Sequence, residues 1–363
     1  MEYYVLVTHR CNMACTYCSA GNAVTTNPSA KTLSPDQVLS IAEYIKEDLI
    51  ARGKDAEENR IVFFGGEPLL AIDAMRNLFQ ATLGLPASYC LYTNGLALNK
   101  IPLDILSALK FIFVSFDGDK HAHEQHRGAH TYDRIVNNLI EIKKKASLPL
   151  IGRLTVEEST NLFESVTTML ELCDHVYWQI VNKPRFENPR RFIQNYESGI
   201  EQLFFFWLNQ LRQGKILKLI PFESIANSLL NGSDTDPVSF RCACGTEFQA
   251  IDLDGTVYGC DEYVGTPLAR LGNIKDGTPL SLNYRSHQDL NPDCGTCKNS
   301  LICLGRCRKM LQSFAKDQIQ IYCRLTNFLI DLISANLPKI EKALQDNGLQ
   351  EIYISPPITE EIP

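Results

Sequence analysis

The stretch Cys11-Asn12-Met13-Ala14-Cys15-Thr16-Tyr17-Cys18 follows the apolar run Tyr3–Val7 and decides how the rest of the chain is interpreted. Cysteine thiolates hold iron–sulfur clusters, and a cluster commonly takes four of them. Three cysteines at this spacing can hold three irons of a four-iron cluster and leave the fourth iron open. Because an open iron can bind and reduce a small molecule, Cys11, Cys15 and Cys18 predict redox catalysis and not only metal binding.

A second group of cysteines lies toward the other end of the chain, which contains 13 cysteines in all. This group comprises Cys242, Cys244, Cys260, Cys294, Cys297, Cys303, Cys307 and Cys323. Cys90 and Cys173 stand alone in apolar stretches and are expected in the core, where a free cysteine behaves as a small hydrophobe. The other eleven match one open cluster with three ligands and two closed clusters with four each. The alternative is a tetrahedral zinc site at Cys294, Cys297, Cys303 and Cys307, which would leave four late cysteines without a role.

Composition narrows the class of protein. Hydrophobic residues make up 45% of the 363 residues and the formal net charge is -7, as expected for a globular chain with more than one domain. No basic stripe indicates a nucleic-acid partner, and no run of ~18 apolar residues indicates a membrane span. Met1-Glu2 leads directly into the apolar run without a signal-peptide pattern. We therefore expect a cytoplasmic protein with reduced thiols.

Short apolar runs alternate with amphipathic segments over the first two hundred residues. The expected strands are Tyr3–Val7, Arg60–Phe64, Ser88–Tyr92, Phe111–Phe116, Leu148–Leu154 and Val176–Val181. The expected helices are Ser34–Arg52, Ile72–Leu83, Pro102–Leu109, Tyr132–Lys145 and Leu162–Leu172. This alternation predicts βαβ units and a parallel sheet. Six strands suffice for a partial barrel and not for the eight-stranded one, so the predicted fold class is α/β: a partial (β/α)6 TIM-like barrel with a C-terminal cysteine-rich auxiliary iron–sulfur cluster domain.

Beyond residue 190 the pattern changes. Asn195–Gln213 predicts a long helix whose aromatic stretch Leu203–Trp207 is expected in the core. Asp252–Tyr258 predicts a hairpin with an Asp-Gly turn, Ile319–Gln345 predicts a helix, and the tail Ser355–Glu361 is expected to be extended or disordered. The expected domains are residues 1–235 for the barrel and trailing helices, 236–330 for the cysteine-rich module, and 331–363 for a C-terminal helix and tail.

Taken together, the two cysteine sets resemble those of the radical S-adenosylmethionine (SAM) enzymes, whose signature is C-x3-C-x2-C after the first strand. The late set resembles the SPASM domain of the peptide-modifying branch, and the whole chain is similar to anaerobic sulfatase-maturating enzymes. The resemblance implies SAM and three 4Fe-4S clusters, one SAM-binding and two auxiliary. It implies that reductive cleavage of SAM gives a 5′-deoxyadenosyl radical, which takes a hydrogen atom from substrate. An electron donor such as flavodoxin or ferredoxin would supply the electron.

Two further segments match family motifs at the ends of strands. Gly65-Gly66-Glu67-Pro68 matches the GGEP motif, which in the family holds the amino group of SAM. Gly65 and Gly66 would allow close backbone approach, and Glu67 could accept from an ammonium group; the alternative is a plain turn with Pro68 starting a helix. Asn94 lies in Tyr92–Gly95, which matches the TNG motif.

The remaining cofactor contacts implied by the resemblance are spread over the chain. Ser115 and Asp117 lie in Ser115–Gly118, which matches the ribose-contacting stretch of the family. Tyr17 stands where the family places an aromatic side chain near adenine. The weaker candidates are Arg127, Arg153 and Gln179. An arginine such as Arg153 could hold the SAM carboxylate in a bidentate pair, and a surface or structural role is the alternative for all three.

The resemblance also distributes the late cysteines between two auxiliary clusters. One would use Cys294, Cys297, Cys303 and Cys323; the other would use Cys260, Cys307 and the Cys242/Cys244 pair. Because a C-x-C pair on one cluster is sterically demanding, only one of Cys242 and Cys244 need bind, which would leave an open iron there.

Asp261 and a histidine-rich loop complete the candidate residues. Asp261 follows Cys260 and resembles a catalytic base of the sulfatase-maturating enzymes; hydrogen bonding to turn amides is the alternative. His121, His123, His126 and His130 are expected in a loop near the SAM site and less so at a separate metal site.

The leading functional hypothesis is a maturase that oxidises or crosslinks a side chain of a peptide or protein. One alternative is formylglycine formation on a sulfatase, favoured by Asp261 and opposed by Ser19-Ala20 and Tyr92, which differ from the residues of that group. Another is oxidation of a small molecule such as an aminosugar or a tetrapyrrole precursor. An iron–sulfur electron carrier or sensor would leave the GGEP match and Ser115–Gly118 unexplained.

Overall fold

The computed structural model describes residues 1–18, 24–27, 29–53, 59–232, 240–278, 280, 287–349, 352 and 362–363. Ser19-Ala20, the expected domain boundary at 235/236 and the tail Ser355–Glu361 lie outside the described residues. The chain divides into two compact units. The first comprises Met1–Ser115, His123–Leu150 and Ala243–Tyr284, and the second comprises Phe116–Ala122, Ile151–Cys242 and Arg285–Pro363.

Strands and helices alternate along the chain, as the sequence predicts. The strands are β1 Glu2–Thr8, β2 Arg60–Gly65, β3 Ser88–Thr93, β4 Leu109–Ser115, β5 Leu150–Val156, β6 His175–Ile180, β7 Phe248–Ile251, β8 Thr256–Tyr258 and β9 Arg270–Asn273. The α-helices are α1 Pro35–Arg52, α2 Ile72–Thr82, α3 Leu103–Ala108, α4 Lys120–Arg127, α5 Tyr132–Lys145, α6 Leu162–Leu172, α7 Pro189–Arg212, α8 Ile220–Asn231, α9 His287–Leu290, α10 Ser300–Cys303, α11 Arg308–Ser313, α12 Lys316–Ala335 and α13 Leu337–Asp346. The α/β class and all six expected barrel strands are confirmed.

The first unit contains a mostly parallel sheet in the order β4-β3-β2-β1-β7-β8-β9. Strands β1 to β4 pair in parallel, and β7 joins the other edge of β1 in parallel. Tyr4 of β1 lies opposite Val62 of β2 and Ala250 of β7. The expected hairpin is present, because β7 and β8 pair antiparallel around Gly255, whose φ is 80°. Through β7, this hairpin belongs to the sheet of the first unit.

Local sequence signals explain why α1 begins at Pro35. Ser34 accepts a hydrogen bond from the backbone N–H of Gln37, and the Gln37 side chain accepts from the N–H of Ser34. This capping box satisfies two of the N–H groups that a helix leaves without partners at its start. Gly53 ends the helix with φ 60°, a left-handed conformation that glycine adopts readily.

The first unit is packed around aromatic side chains from neighbouring strands. Tyr92 stacks on Phe113 with ring centroids 4.1 Å apart, and Tyr4 lies 4.3 Å from Phe248. The hydroxyls of Tyr4 and Tyr92 are hydrogen-bonded at 3.0 Å. Edge-to-face and offset aromatic pairs add to the free energy gained from burying their area. These rings fill the space between the strands and fix their relative positions.

The second unit packs β5 and β6 against long helices. The two strands pair in parallel, with Ile151 opposite His175. The stretch Leu203–Trp207 lies on α7, and Phe204 and Trp207 are buried as predicted, whereas Phe205 is exposed. Both rings lie against Phe222 of α8, with centroid distances below 6 Å. Cys90 of the first unit and Cys173 of the second are also buried, as predicted.

The structure corrects several expectations about helices. His121, His123 and His126 lie in α4 and not in a loop, whereas His130 lies in the turn that follows. Helix α7 begins at Pro189, six residues before the predicted start, because Asn188 caps it and Pro189 occupies its first turn. The predicted helix Ile319–Gln345 is two helices, α12 and α13, which meet at Asn336. Helix α8 was not predicted.

None of the described helices combines the length and the apolar character that are needed to cross a bilayer.

One buried ion pair gives a test of the first unit. Arg60 donates to Glu2 at 2.6 Å, and the two residues are 7% and 3% exposed. Glu2→Gln leaves Arg60 buried without its anionic partner, and we expect the free energy of unfolding to fall by about 3 kcal/mol. The measurement is urea unfolding followed by circular dichroism.

The control for this test is Glu43→Gln, which removes an exposed pair with Lys46. Exposed pairs contribute only about 0–1 kcal/mol. Equal losses in the two variants would contradict the structural role given to the Glu2–Arg60 pair.

Candidate functional site

The three early cysteines lie on the segment that leaves the carboxyl end of β1. Cys11 donates its backbone N–H to Thr25 at 2.9 Å, and the N–H of Cys18 donates to Cys15 at 3.2 Å. Cys11 and Cys15 are half-buried and Cys18 is exposed. Burial and, to a smaller extent, the nearby Glu67 raise the pKa of the Cys11 thiol to about 11. A cationic metal centre is therefore needed to hold Cys11 as a thiolate at neutral pH.

Glu67 anchors the surroundings of Cys11. Its side chain is fully buried and accepts from the Thr93 hydroxyl at 2.8 Å and from the backbone N–H groups of Asn94 and Leu69 at 2.7 and 3.1 Å. The Asn94 side chain in turn donates to Asn12 at 2.7 Å and lies 3.9 Å from the Cys11 sulfur. Since both Glu67 oxygens already accept protein donors, the structure gives Glu67 the role of positioning the end of β3 beside the cysteine segment.

Gly65 and Gly66 bring β2 into direct contact with the backbone that carries Cys11. Glu67 donates its N–H to Arg10 at 2.7 Å. A Cβ atom on Gly66 would lie 2.1 Å from the Arg10 carbonyl oxygen, and one on Gly65 would lie 2.4 Å from that of Thr8. Only glycine fits at such distances. The close approach expected of these glycines is therefore made to residues 8–11 of the chain, and Pro68 follows as the start of a short 3-10 helix.

The end of α4 holds the residues between Cys15 and Cys18. Thr16 donates its N–H to the carbonyl of His126 at 3.0 Å, and its hydroxyl is 2.9 Å from His126 Nδ1. The rings of Tyr17 and His126 are 5.5 Å apart, and the Arg127 guanidinium lies 5.3 Å from the Tyr17 ring centre. Of the four histidines that were expected near the SAM site, His126 is therefore the one that contacts the segment of the early cysteines. His126 was singled out only as one of four histidines, because its contacts with Thr16 depend on tertiary structure.

A second contact near the early cysteines could not be read from sequence. His9 Nε2 lies 2.6 Å from Asp252 Oδ1, and Asp252 follows β7. This pair joins the residue two positions before Cys11 to the turn between β7 and β8. The two residues are 243 positions apart in the chain, so no local pattern indicates the contact.

The other expected cofactor residues are divided between the two units. Ser115 ends β4 in the first unit. In the second unit, Asp117 is buried and accepts from the Thr155 N–H at 3.2 Å, and Arg153 donates to Gln179 at 2.7 Å. Arg153 and Gln179 therefore lie side by side on β5 and β6.

Four late cysteines of the second unit surround one cavity of about 180 Å³. They are Cys294, Cys297, Cys303 and Cys323, and we call this space the four-cysteine cavity. They are the four cysteines that the resemblance assigns to one auxiliary cluster. Burial raises the pKa of Cys294 to about 11 and that of Cys303 to about 12, and it raises the pKa of Cys323 as well.

The remaining late cysteines fall in both units. In the first unit, Gly245 donates its N–H to Gly259 at 2.9 Å, which brings the segments of Cys244 and Cys260 together. Asp261 is buried, and its Oδ1 accepts from the Cys260 thiol at 3.2 Å. Cys242 and Cys307 belong to the second unit and are half-buried.

The donor set fits iron–sulfur clusters better than single metal ions. All thirteen cysteines lie in the described residues and are free thiols. Within the part of the chain that the structure describes, no three His, Cys, Asp or Glu side chains are grouped closely enough to hold one metal ion. The four-cysteine cavity also includes Cys323, which the zinc alternative omits.

The chain is similar to one protein-family model and to several known proteins. Residues 5–156 match the model of the Radical SAM superfamily. A cysteine-type anaerobic sulfatase-maturating enzyme of Clostridium novyi (strain NT) is 24% identical over 327 residues, which cover 82% of this chain and 85% of that protein. The sporulation killing factor maturation protein SkfB of Bacillus subtilis (strain 168) is 26% identical over 169 residues, covering 46% of this chain and 38% of SkfB.

One solved structure has the same fold as this chain over most of the length of both proteins. Native anSMEcpe with bound AdoMet and Cp18Cys peptide has a TM-score of 0.70 and 20% sequence identity, and the match covers 93% of this chain and 99% of that chain.

The buried Glu67 carboxyl predicts a pH dependence of stability. Burial raises its pKa from 4.5 to about 7, although three hydrogen bonds favour the charged form. Because the folded pKa lies above the unfolded one, this carboxyl stabilises the protein fully below about pH 4.5. That stability is lost as the pH rises through 7, by about 3 kcal/mol at most. Urea unfolding from pH 4.5 to 8 should show this slope in the wild type.

Glu67→Gln provides the comparison, because glutamine does not titrate. Its stability is expected to be lower throughout but without the contribution of Glu67 to the slope. Parallel pH profiles for the two proteins would show that Glu67 titrates normally.

Proposed function

We propose that this protein, which belongs to the radical SAM enzymes through its domain over residues 5–156, oxidises or crosslinks a side chain of a peptide or protein substrate. The observation that carries the proposal is the four-cysteine cavity, which exists in addition to the three cysteines after β1. Cleavage of SAM alone would require only the early set. A second site with four thiols can hold a cluster that accepts the second electron of a two-electron oxidation.

The residues around Cys11 prepare the first site. When bound, a 4Fe-4S cluster and SAM supply reductive cleavage of SAM to a 5′-deoxyadenosyl radical, which removes a hydrogen atom from substrate. Cys11, Cys15 and Cys18 would hold this cluster and leave one iron for SAM. Asn94 and Glu67 keep the Cys11 segment against β3, and His126 keeps the Cys15–Cys18 turn against α4. Tyr17, next to Arg127, offers an aromatic surface for adenine.

Further SAM contacts are assigned to both units. Ser115 and Asp117 would bind the ribose hydroxyls, and the adjacent Arg153 and Gln179 would bind the carboxylate of SAM.

The late cysteines would hold two auxiliary clusters. Cys294, Cys297, Cys303 and Cys323 would hold one, and Cys260, Cys307 and one or both of Cys242 and Cys244 would hold the other. The hydrogen bond between Gly245 and Gly259 supports Cys244 as the partner of Cys260. A flavodoxin or ferredoxin of the cytoplasm would donate the electron that begins each cycle.

The likeness to maturation enzymes favours a peptide or protein substrate. The relative from Clostridium novyi is named for maturing a sulfatase, and SkfB is named for maturing a killing factor. The anSMEcpe structure contains a peptide together with AdoMet. We infer that this chain likewise takes a peptide segment.

Formylglycine formation on a sulfatase is the second candidate, and Asp261 favours it. A buried carboxylate beside a cluster cysteine can remove a proton from a substrate thiol or hydroxyl as the carbon is oxidised. The same residue could serve as a base in a different peptide maturase.

Substitution of the first cysteine set tests the radical mechanism. A Cys11→Ala/Cys15→Ala/Cys18→Ala variant is expected to lose SAM cleavage completely, measured as 5′-deoxyadenosine after anaerobic incubation with SAM and dithionite. Cys90→Ala is the control, since Cys90 is buried in β3. Retained cleavage in the triple variant would refute the mechanism.

The same assay with mass spectrometry separates the candidate substrates. It uses a sulfatase-type peptide and any short peptide encoded beside the gene. A mass loss on the neighbouring peptide, with stoichiometric deoxyadenosine, would support a peptide maturase of the proposed kind. A mass loss on the sulfatase-type peptide would favour formylglycine formation, and deoxyadenosine without change in either peptide would count against both.

Asp261→Asn tests the base assignment. The variant is expected to cleave SAM but to form at least ~100-fold less product, because a positioned base contributes about 10²–10⁴-fold. Glu262→Gln, at the next position, is the control and should retain product formation. Normal product from Asp261→Asn would remove that role.

A further inference from the structure

Arg306 places a positive charge at the four-cysteine cavity. It lies in the short segment between Cys303 and Cys307, and it lines the cavity together with Cys294, Cys297, Cys303 and Cys323. Two other charged residues line the same space, Lys316 and Asp293, and they form an ion pair with each other at 3.1 Å. Among the described residues, no Asp or Glu side chain pairs with Arg306, whose Nε donates instead to the main-chain oxygen of Pro363. Arg306 therefore adds a positive charge to the cavity wall that is separate from the Lys316–Asp293 pair.

The side chain of Arg306 is held in place by its neighbours. Its guanidinium lies 4.9 Å from the ring centre of Tyr322, the residue before Cys323. Its Nη1 is 3.6 Å from the sulfur of Met310, and its Nε donates to the main-chain oxygen of Pro363. A cation over an aromatic face is attracted to the ring, and more strongly when it is removed from water. The charge is thus fixed in one position.

The backbone at Arg306 adopts a conformation that needs such support. The φ values are 47° at Leu304, 74° at Gly305 and 56° at Arg306. This left-handed region is unfavourable for residues other than glycine. A Cβ atom on Gly305 would lie 2.2 Å from His287 Cβ, so the turn is packed tightly against α9. Arg306, at the end of this turn, lies in the cavity wall. Helix α11 begins two residues later, at Arg308.

Arg306 and the four cysteines line the same cavity, so a cluster held by these cysteines would lie close to the Arg306 charge. A four-iron cluster with four thiolate ligands is anionic in both oxidation states and gains one further negative charge on reduction. A nearby fixed cation stabilises the reduced state more than the oxidised one and raises the reduction potential.

We propose that Arg306 raises the reduction potential of a 4Fe-4S cluster in the four-cysteine cavity, which makes this cluster a better electron acceptor. The inference rests on the cluster assignment made above. It adds a residue that touches neither the early cysteines nor the SAM contacts. Arg306 would act through its charge on the cluster, so its effect is measured as a reduction potential and not only as activity.

The test is a redox titration of the reconstituted full-length protein, followed by electron paramagnetic resonance and absorbance. In Arg306→Gln we expect one auxiliary cluster to titrate at a more negative potential, while the other clusters are unchanged. When the variant is poised at the midpoint potential of the wild type, the oxidised form of that cluster should exceed the reduced form by about tenfold. This ratio corresponds to a shift of ~59 mV in the midpoint potential of a one-electron couple. Arg306→Lys keeps the positive charge, so the midpoint potential of that cluster should stay close to the wild-type value.

Arg324→Gln is the matched control. Arg324 immediately follows Cys323, but it is 60% exposed at the side chain and forms an ion pair with Glu197 at 2.8 Å. Solvent and Glu197 screen this charge, so its removal should leave all midpoints unchanged. An equal shift in the two neutral variants would attribute the effect to net charge and would overturn the specific role of Arg306.

Iron content separates the remaining outcomes. An unchanged midpoint in Arg306→Gln with full iron would overturn the inference and leave the cluster assignment intact. If Arg306→Gln loses iron, Arg306→Met is titrated instead, because its apolar side chain can still pack on Tyr322. Loss of the cluster in both neutral variants but not in Arg306→Lys would assign Arg306 to cluster retention and overturn the role in potential. A wild-type protein with iron for the early site alone would overturn the cluster assignment itself.

Discussion

The first site depends on the buried carboxylate of Glu67. Two of its three hydrogen bonds join the segment after β2, where Glu67 lies, to Thr93 and Asn94 at the end of β3, and the third comes from the nearby Leu69. Asn94 then reaches Asn12 and the Cys11 sulfur. A buried carboxylate without such donors would cost several kcal/mol. These contacts therefore fix two strand ends and the cysteine segment in one arrangement, and the glycines before Glu67 make the arrangement possible by removing side chains from the interface.

Thiols in both candidate sites are held in environments that disfavour their ionised form. Burial raises the pKa of Cys11 in the first unit and of Cys294 and Cys303 in the second. A bound cluster overcomes this by supplying positive iron at short distance, so that cluster binding and folding of these segments are linked. In the second unit, Arg306 adds a positive charge to the wall of the four-cysteine cavity, and its proposed effect is on the reduction potential of the cluster.

Much of the fold could be predicted from the sequence because its strands are short apolar runs with clear helices between them. The six expected barrel strands, the capping box at Ser34 and the Asp254-Gly255 turn all depend on local patterns. The start of α7 was misplaced although Asn188 and Pro189 carry a helix-start signal, which the aromatic stretch downstream obscured. The pairing of β7 with β1 is a contact between segments about 245 residues apart, and no local pattern encodes it. The same reason explains why His9–Asp252, Thr16–His126 and the position of Arg306 could not be predicted, whereas the cysteines could be grouped from their spacing and number.

The central claim is that the two cysteine sets hold separate iron–sulfur clusters. The most direct measurement is the iron and acid-labile sulfide content of the anaerobically reconstituted chain, combined with Mössbauer spectroscopy, for the wild type and for Cys294→Ser/Cys303→Ser. Three clusters predict about twelve irons per wild-type chain and about four fewer in the double variant, with the SAM-dependent cluster signal retained. About four irons in both proteins, or zinc bound at the late cysteines, would contradict the account.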